Sequence, residues 1–377
     1  MEFGFTSEQE MLRKSFAEFL NKECPADLVR EMIEDEIGFS PSLWKKMAEL
    51  EWLGLTYDDR YGGMESSFLD LFILFEQIGK VLLPSPLFTS AVMSGLLIND
   101  AGDDNLKDSL LPRIIQGKKI LTLALLDEQG RLDADEATIE AVQSQGNQFL
   151  VNGTRLLVPY AHVADEIIVC AGVKGHGTGG STLLRIDGKS EGLQTTFLNT
   201  LTGEKTFAVR FDDVRVPAGN VIGDVGRGHL HLRGILPKAT VLKCGEMLGG
   251  LERVVEMSVD YVKERHQFGR PLGSLQAVQH HCADMATYLE STRLIAYQAA
   301  YLLSEGLPCE TEVAMAKAWA SEAYRKTTWI GQQIQGGIGF TEEWDMHLFY
   351  KHAKASELAF GSSWFHRAHV FKNMGLS

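Results

Sequence analysis

The sequence predicts an α+β protein in three parts: an N-terminal helical domain over 1–120, a middle β domain over 121–230, and a C-terminal helical bundle over 231–377. Three observations predict it. Apolar residues recur at helical spacing in the first and last thirds, and short β-prone runs between turn residues fill the middle. Few helical stretches separate those runs, so a barrel or sandwich-like β domain fits better than βαβ units. At 377 residues the chain is also long for a single core.

Ser7 and Glu10 suit a capping box, followed by Met11, Leu12, Phe16, Phe19 and Leu20 on one apolar face. Trp44, Met47, Leu50, Leu53 and Leu55 mark a further helix, which Tyr61-Gly62-Gly63 interrupts. Residues 68–81 form a strongly apolar helix, and Pro84 and Pro86 stop it. Strands are expected at 121–126, 149–151, 166–171, 181–186 and 206–211. Asn152-Gly153, the glycine-rich run 172–180 and Asp212-Asp213 bound them as turns. The glycine-rich run lacks the lysine-serine ending and following helix of a phosphate cradle, so it reads as a hairpin loop. Beyond 231, Val241, Cys244, Leu248, Leu251, Val255 and Val262 make one helical stripe, and helices at 275–303, 313–334 and 346–370 follow.

A net charge of -14 argues against a nucleic-acid surface but leaves room for an anionic ligand in a local basic pocket. The five cysteines are widely spaced, without a CxxC pair, and read as reduced thiols. No apolar run approaches the roughly 20 residues of a membrane span. The first residues lack a basic segment followed by an apolar one, so the expected location is cytoplasmic. His280, His281 and Asp284 form no compact ligand set, and the pair His366/His369 lacks a third ligand, so no metal is expected.

The chemistry concentrates in two segments. In the run 264–272, Arg265 offers a five-donor fork to a pyrophosphate or ribose edge, Phe268 a flat face to an adenine ring, and Gly269 a turn. Alone, these residues could be a salt-bridging arginine and a core phenylalanine. Gln333 and the adjacent Gly336-Gly337 shift the balance, because bare backbone N–H groups let a phosphate approach, although the glycines also suit a helix end.

With those motifs in order, nearly the whole chain resembles the acyl-CoA dehydrogenase family. The carriers are the runs 214–223 (VRVPAGNVIG), 261–269 (YVKERHQFG) and 333–337 (QIQGG), with Tyr61-Gly62-Gly63 as a fourth. The resemblance implies noncovalent FAD, an acyl-CoA substrate, an electron-transfer flavoprotein as electron acceptor, and assembly as a homotetramer or as a heterotetramer with a related subunit. It implies that Arg265, Phe268, Leu272, Leu275, Gln333 and Gly337 hold the distal half of FAD, with Ser362 contacting it from another subunit.

The chain departs from the family pattern in three places. Ala124-Leu125-Leu126-Asp127-Glu128 replaces a run that contacts flavin and substrate, though the backbone N–H groups of Leu125 and Leu126 can still reach the ring. Leu157 and Pro159 stand where a tryptophan and a threonine flank the flavin in many members. Phe360 replaces the usual catalytic glutamate, and the other familiar base position is Ala239. These changes resemble a bacterial branch whose subunits sometimes work in unlike pairs.

Removing an α-proton from a thioester needs a nearby carboxylate. Glu246 lies seven residues beyond Ala239, two helical turns along nearly the same face, and is the preferred base. A structural Lys243–Glu246 pair is the competing reading, and Glu357, three residues before Phe360, is a second candidate. Phe360 retains only its backbone N–H as an oxyanion donor. The expected activity is α,β-dehydrogenation of an acyl-CoA. The replacement at 360 is read as suiting a branched, cyclic or otherwise bulky acyl group. A noncatalytic or partly catalytic partner subunit is the first alternative, and a flavin oxygenase of related fold the second.

Overall fold

The computed structural model describes residues 5–131, 139–144, 147–174 and 180–375. Most of the tip of the glycine-rich run, 175–179, lies outside them. Helices α1 (Ser7–Glu23), α2 (Ala26–Glu34), α3 (Pro41–Glu49), α4 (Phe68–Val81), α5 (Gly95–Ala101) and α6 (Asp104–Ile115) come first. The strands β1 (Leu121–Ala124), β2 (Ile139–Ser144), β3 (Gln148–Pro159), β4 (Glu166–Lys174), β5 (Ser181–Asp187), β6 (Leu193–Leu198), β7 (Thr206–Pro217) and β8 (Val221–Ile222) follow. Helix α7 (Gly228–Glu264) leads to a small hairpin of β9 (His266–Gln267) and β10 (Arg270–Pro271). Helices α8 (Gln276–Ser304), α9 (Glu310–Gln335), α10 (Met346–Leu358) and α11 (Ser363–Asn373) close the chain. Helical regions thus flank a mixed β-sheet domain, as expected from the sequence.

Two compact units emerge: Met1–Arg30 with Ser67–Leu83 and Thr240–Ser377, and Glu31–Ser66 with Pro84–Ala239. In the first, α9 is the central element. Its buried Ala314, Ala316, Ala318, Ala320 and Ala323 are small enough to let α8, α10 and α11 pack closely against it. Glycines bring α7 equally close to α4: a Cβ on Gly249 would lie 1.8 Å from the Glu76 carbonyl oxygen, and one on Gly79 would lie 2.0 Å from that of Glu246. Glu76 of α4, fully buried, accepts from Arg13 of α1 and from Arg293 and Tyr297 of α8. Stripping Glu76 of both arginines would strand its buried charge, at a cost of about 3–5 kcal/mol.

In the second unit the sheet order is β6-β7-β3-β2-β4-β5-β8, with β1 and β2 lying parallel to successive stretches of β4 and the remaining pairs antiparallel. Its core gathers alternate residues such as Phe149 and Val151 of β3, Ile167 and Val169 of β4, and Val209 and Phe211 of β7.

Several expectations need correction. The capping box belongs to Thr6 and Gln9, not Ser7 and Glu10: each bonds the other's backbone N–H at 3.2 Å, and either pair fits the motif. The first strand ends at Ala124, and strands β2, β6 and β8 went unnoticed because their residues are largely polar or few. Asn152-Gly153 and Asp212-Asp213 are not strand-ending turns. They face each other across one bulge inside the β3–β7 pair, where Asn152 and Asp213 exchange two 2.8 Å hydrogen bonds. On α7, Val254 rather than Val255 joins Val241 and Val262 among the buried residues. The expected helix 346–370 breaks at 359–362, between α10 and α11.

Candidate active site

The hairpin after α7 shows why the run 264–272 matters. Gln267 pairs with Arg270 and His266 with Pro271, leaving Phe268 and Gly269 as a two-residue loop. Both have positive φ, +53° and +77°, the handedness of a type I′ turn that glycine and asparagine normally supply. A phenylalanine there costs roughly 1–2 kcal/mol. The strain lifts its ring to 86 % exposure beside the exposed Arg265. The Leu272 N–H donates to the Arg265 carbonyl, closing the base of the hairpin, and Leu275 stands at the N-cap of α8.

The end of α9 carries the companion residues. Gln333 is exposed on the last turn, and Gly336 turns out of the helix at φ +62°. A Cβ on Gly336 or Gly337 would meet nothing within 4 Å, so the backbone there is bare. Tyr261, one helical turn before Arg265, donates to the Gln335 carbonyl at 3.3 Å and packs edge-on against Trp344, whose indole N–H donates to the Gln335 side chain at 2.6 Å. The structure therefore joins the hairpin segment to the glycine pair. An exposed ring, a guanidinium and bare backbone fit the adenine and pyrophosphate of a dinucleotide.

Glu246 sits on the stretch of α7 pressed against α4. Its buried carboxylate pairs with Lys243, and His352 Nε2 of α10 lies 3.8 Å away. His352 in turn has Tyr324 Oη at 3.2 Å from Nδ1 and Ser356 Oγ at 3.3 Å from Nε2. Burial opposes the carboxylate charge, but Lys243 and then His352 outweigh it and hold the group below the usual carboxylate range. Glu357 pairs instead with Lys354 at 2.9 Å, and Arg325 lies 3.8 Å away.

Phe360 occupies the break between α10 and α11 with φ +55°, and Gly361 follows at +97°. His366 Nε2 lies 2.8 Å from the Phe360 carbonyl, and Lys317 Nζ 3.0 Å from that of Gly361. His352, which lies 3.8 Å from the Glu246 carboxylate, stands on α10, the helix whose end opens into this turn. Ser362 caps α11 by accepting from the Phe365 N–H at 3.4 Å.

In the second unit, the Leu126 carbonyl accepts from the Leu156 N–H at 2.9 Å, and Leu125 precedes it, half-buried. A bulge in β3 then holds Leu157 at φ +50° with its side chain 45 % exposed. The bulge thus presents an exposed aliphatic side chain here and no aromatic ring. Asp127 anchors the following turn by accepting from Gln129 N–H and Arg131 N–H, at 2.9 and 2.8 Å.

Sequence reasoning missed Lys317, His352 and the role of His366. A signal existed for the first: a lone lysine inside the alanine stripe of α9. His366 and His369 face backbone carbonyls of Phe360 and Phe365 rather than a shared ion. Among the described residues the one acidic or histidine grouping with metal-like spacing is the exposed set Asp58, Asp59 and Glu65.

Residues 6–118 match the acyl-CoA dehydrogenase N-terminal domain and 228–375 the acyl-CoA dehydrogenase C-terminal domain. An acryloyl-CoA reductase (NADH) of Anaerotignum propionicum is 31% identical over 99% of this chain and 96% of its own. A chain from structural work on the electron transferring flavoprotein of Acidaminococcus fermentans superposes with TM-score 0.92 at 28% identity, covering 99% of each. A chain of the ChsE4-ChsE5 complex of Mycobacterium tuberculosis does so with TM-score 0.91 at 25% identity, covering 100% of each. The chain belongs to the acyl-CoA dehydrogenase family and is an oxidoreductase of that type. Its cofactor is FAD, and Arg265, Phe268, Gln333 and Gly337 suit the role of holding it. No helix among the described residues is long and apolar enough to cross a membrane.

Proposed function

We infer that this enzyme works on the Cα–Cβ bond of an acyl-CoA thioester, oxidising it to the enoyl-CoA. The observation that carries this reading is the strained Phe268-Gly269 turn, which holds an aromatic ring exposed beside Arg265 and is costly to keep without a ligand for that ring. FAD, when bound, supplies the acceptor for the β-hydride, and an electron-transfer flavoprotein takes the electrons onward. The names of the Anaerotignum and Acidaminococcus relatives support the thioester and the flavoprotein partner, respectively.

Glu246 takes the α-proton. Its pairing with Lys243 keeps it charged, the state a base needs, while lowering its affinity for the proton. The Phe360 backbone N–H polarises the thioester oxygen as charge builds there. Leu125 and Leu126 offer backbone N–H groups to the flavin ring, and Leu272, Leu275 and Ser362 contact the distal half of the cofactor. Trp329, Trp364 and Phe371 are more than half exposed on the helical unit, which suits burial in a tetramer.

The test compares E246Q with E357Q, using butyryl-CoA, isobutyryl-CoA and cyclohexanecarbonyl-CoA as probes. Yellow E246Q protein with flavin reduction slowed at least about 100-fold, beside a near-normal E357Q, supports the assignment. The reverse pattern moves the base to Glu357. Activity with butyryl-CoA alone rejects a bulky acyl group.

A second reading is favoured by Phe360, Leu157 and Pro159 together: a subunit that completes the flavin site of a related chain. The ChsE4-ChsE5 relative is described as a complex of two named chains. Purified alone, a colourless protein that gains flavin with a related subunit would support this role. A yellow homotetramer bleached by a probe thioester would support the enzyme acting by itself.

A further inference from the structure

The break between α10 and α11 is held from inside by two residues that the sequence reading left without a role. Lys317, fully buried on α9, uses all three ammonium donors: Ser321 Oγ at 3.0 Å, the Glu357 carbonyl at 3.1 Å and the Gly361 carbonyl at 3.0 Å. Glu357 lies in the last turn of α10, where carbonyls lack partners within the helix and a cation is favoured. Lys317 thus ties the end of α10 to the far side of the turn. His366 of α11 lies 2.8 Å from the Phe360 carbonyl. Since that oxygen only accepts, Nε2 must carry the proton.

These two contacts clasp consecutive carbonyls of a turn whose two central residues both have positive φ. Described peptides are trans, so these contacts set directly the planes that carry the Gly361 and Ser362 N–H groups, and they reach the Phe360 N–H through the φ and ψ of Phe360. A cation buried in an alanine stripe is expensive compared with another alanine. Helix packing gains nothing from it that a small apolar residue would not supply. Its partners show where its effect goes: two of the three are backbone carbonyls, one at the end of α10 and one in the turn that follows it.

We propose that Lys317 and His366 are positioning residues that set the Phe360-Gly361 turn, and through it the backbone N–H that faces the thioester oxygen. This rests on the function inferred above. Burial keeps His366 neutral at ordinary pH, its pKa pushed down to about 4, which agrees with a single proton held on Nε2.

The experiment uses flavin-loaded K317M, H366F and H366Q proteins. The glutamine keeps an N–H donor near the imidazole position, while the phenylalanine keeps only bulk. Amide hydrogen exchange is followed over 357–366, with kcat and KM measured on whichever probe thioester the wild type oxidises. We expect exchange in the turn to quicken at least about tenfold in K317M and H366F. We also expect kcat to fall about 10–100-fold in both with KM within about threefold, as for an interaction made in the transition state. H366Q should recover most of both. Should K317M fail to fold, H366F against H366Q carries the comparison alone. Wild-type exchange in H366F, or a raised KM with unchanged kcat, overturns the proposal. If the wild type oxidises none of the thioesters, the functional reading fails separately; faster exchange in H366F, restored in H366Q, then still assigns the clasp, and unchanged exchange rejects it.

Discussion

Two Phe-Gly pairs in the helical unit adopt the same unusual backbone and use it in opposite ways. Phe268-Gly269 and Phe360-Gly361 have positive φ at both residues, +53° and +77° in one, +55° and +97° in the other. The first is a surface hairpin tied by local backbone pairs, and it presents its ring outward. The second is gripped from the interior by a lysine and a histidine on two other stretches of chain. The lesson concerns what a strained turn delivers. At 268 the product is a side chain, and short-range bonds suffice to support it. At 360, on the function proposed above, the useful product is the backbone itself. Backbone direction needs support from outside the turn.

The sharpest way to break the comparison is to add one methyl group to each glycine. In G361A the new Cβ would lie 2.5 Å from the Phe365 ring and 3.0 Å from His366 Nε2, at a φ that already disfavours alanine. We expect a loss of about 3 kcal/mol or more, from strain and displaced packing together. In G269A the Cβ meets nothing within 4 Å, so only the backbone penalty of about 1–2 kcal/mol remains. Denaturant melts of the two variants measure the difference. Equal losses would mean that the interior grip on the 360 turn contributes little.

The sequence was informative where one kind of force decides. Residues 68–81 fold as expected because a nearly continuous apolar run has few alternatives to a buried helix. The run 264–272 was legible because turn chemistry and ligand chemistry coincide there. Asn152-Gly153 and Asp212-Asp213 were read as turns because the same side-chain bonds that close a turn also satisfy a bulge, and the choice between them depends on a strand 61 residues away. Glu246 was legible as a carboxylate on nearly the same face of α7 as Ala239, and its bond to Lys243, which the structure forms, as the competing reading. Nothing local revealed that His352, more than 100 residues later, would complete its surroundings. Lys317 stood out as a lone lysine in an alanine stripe, but its partners were hidden for a related reason. A lysine at any helix position is ordinarily a solvated residue, and only the packing of α10 and α11 around α9 turns this one inward.

The two turns should also respond differently to pH, since residues 264–270 of the hairpin are exposed while the 360 turn leans on two buried titratable groups. Burial, helped by the charges of Lys317 and His369, pushes His366 down to about 4 against the pull of the Phe360 carbonyl. The unfolded chain therefore binds more protons than the folded one between about pH 6.5 and 4. Stability falls as pH drops through that window, by about 3 kcal/mol in full. Lys317, pushed down to about 8 by burial, gives the same sign in a different window: stability rises with pH between about 8 and 10.5. Thermal melts across pH should show H366Q losing the acid slope and K317M the alkaline one. Parallel curves for wild type and variants would remove these groups from the account of the turn.

The smallest effect separates strain from purpose at the outer turn. Phe268→Gly removes an aromatic residue from a conformation that glycine adopts freely, in a place where the ring has almost no protein to pack against. The folded protein without flavin should gain stability, by about 1 kcal/mol, an unusual outcome for deleting a phenylalanine. If the ring exists to stack on the adenine of FAD, flavin affinity should fall at the same time, by about tenfold, as expected when one base–aromatic contact worth about 1–3 kcal/mol is lost. Melts of the apoprotein and flavin titration by fluorescence read the two quantities independently. A gain in stability with unchanged flavin affinity would leave the strain real but assign the exposed ring to some other contact, such as a neighbouring subunit. A loss of stability would mean that the turn depends on its phenylalanine for folding, and the contrast with the clasped turn at 360 would disappear.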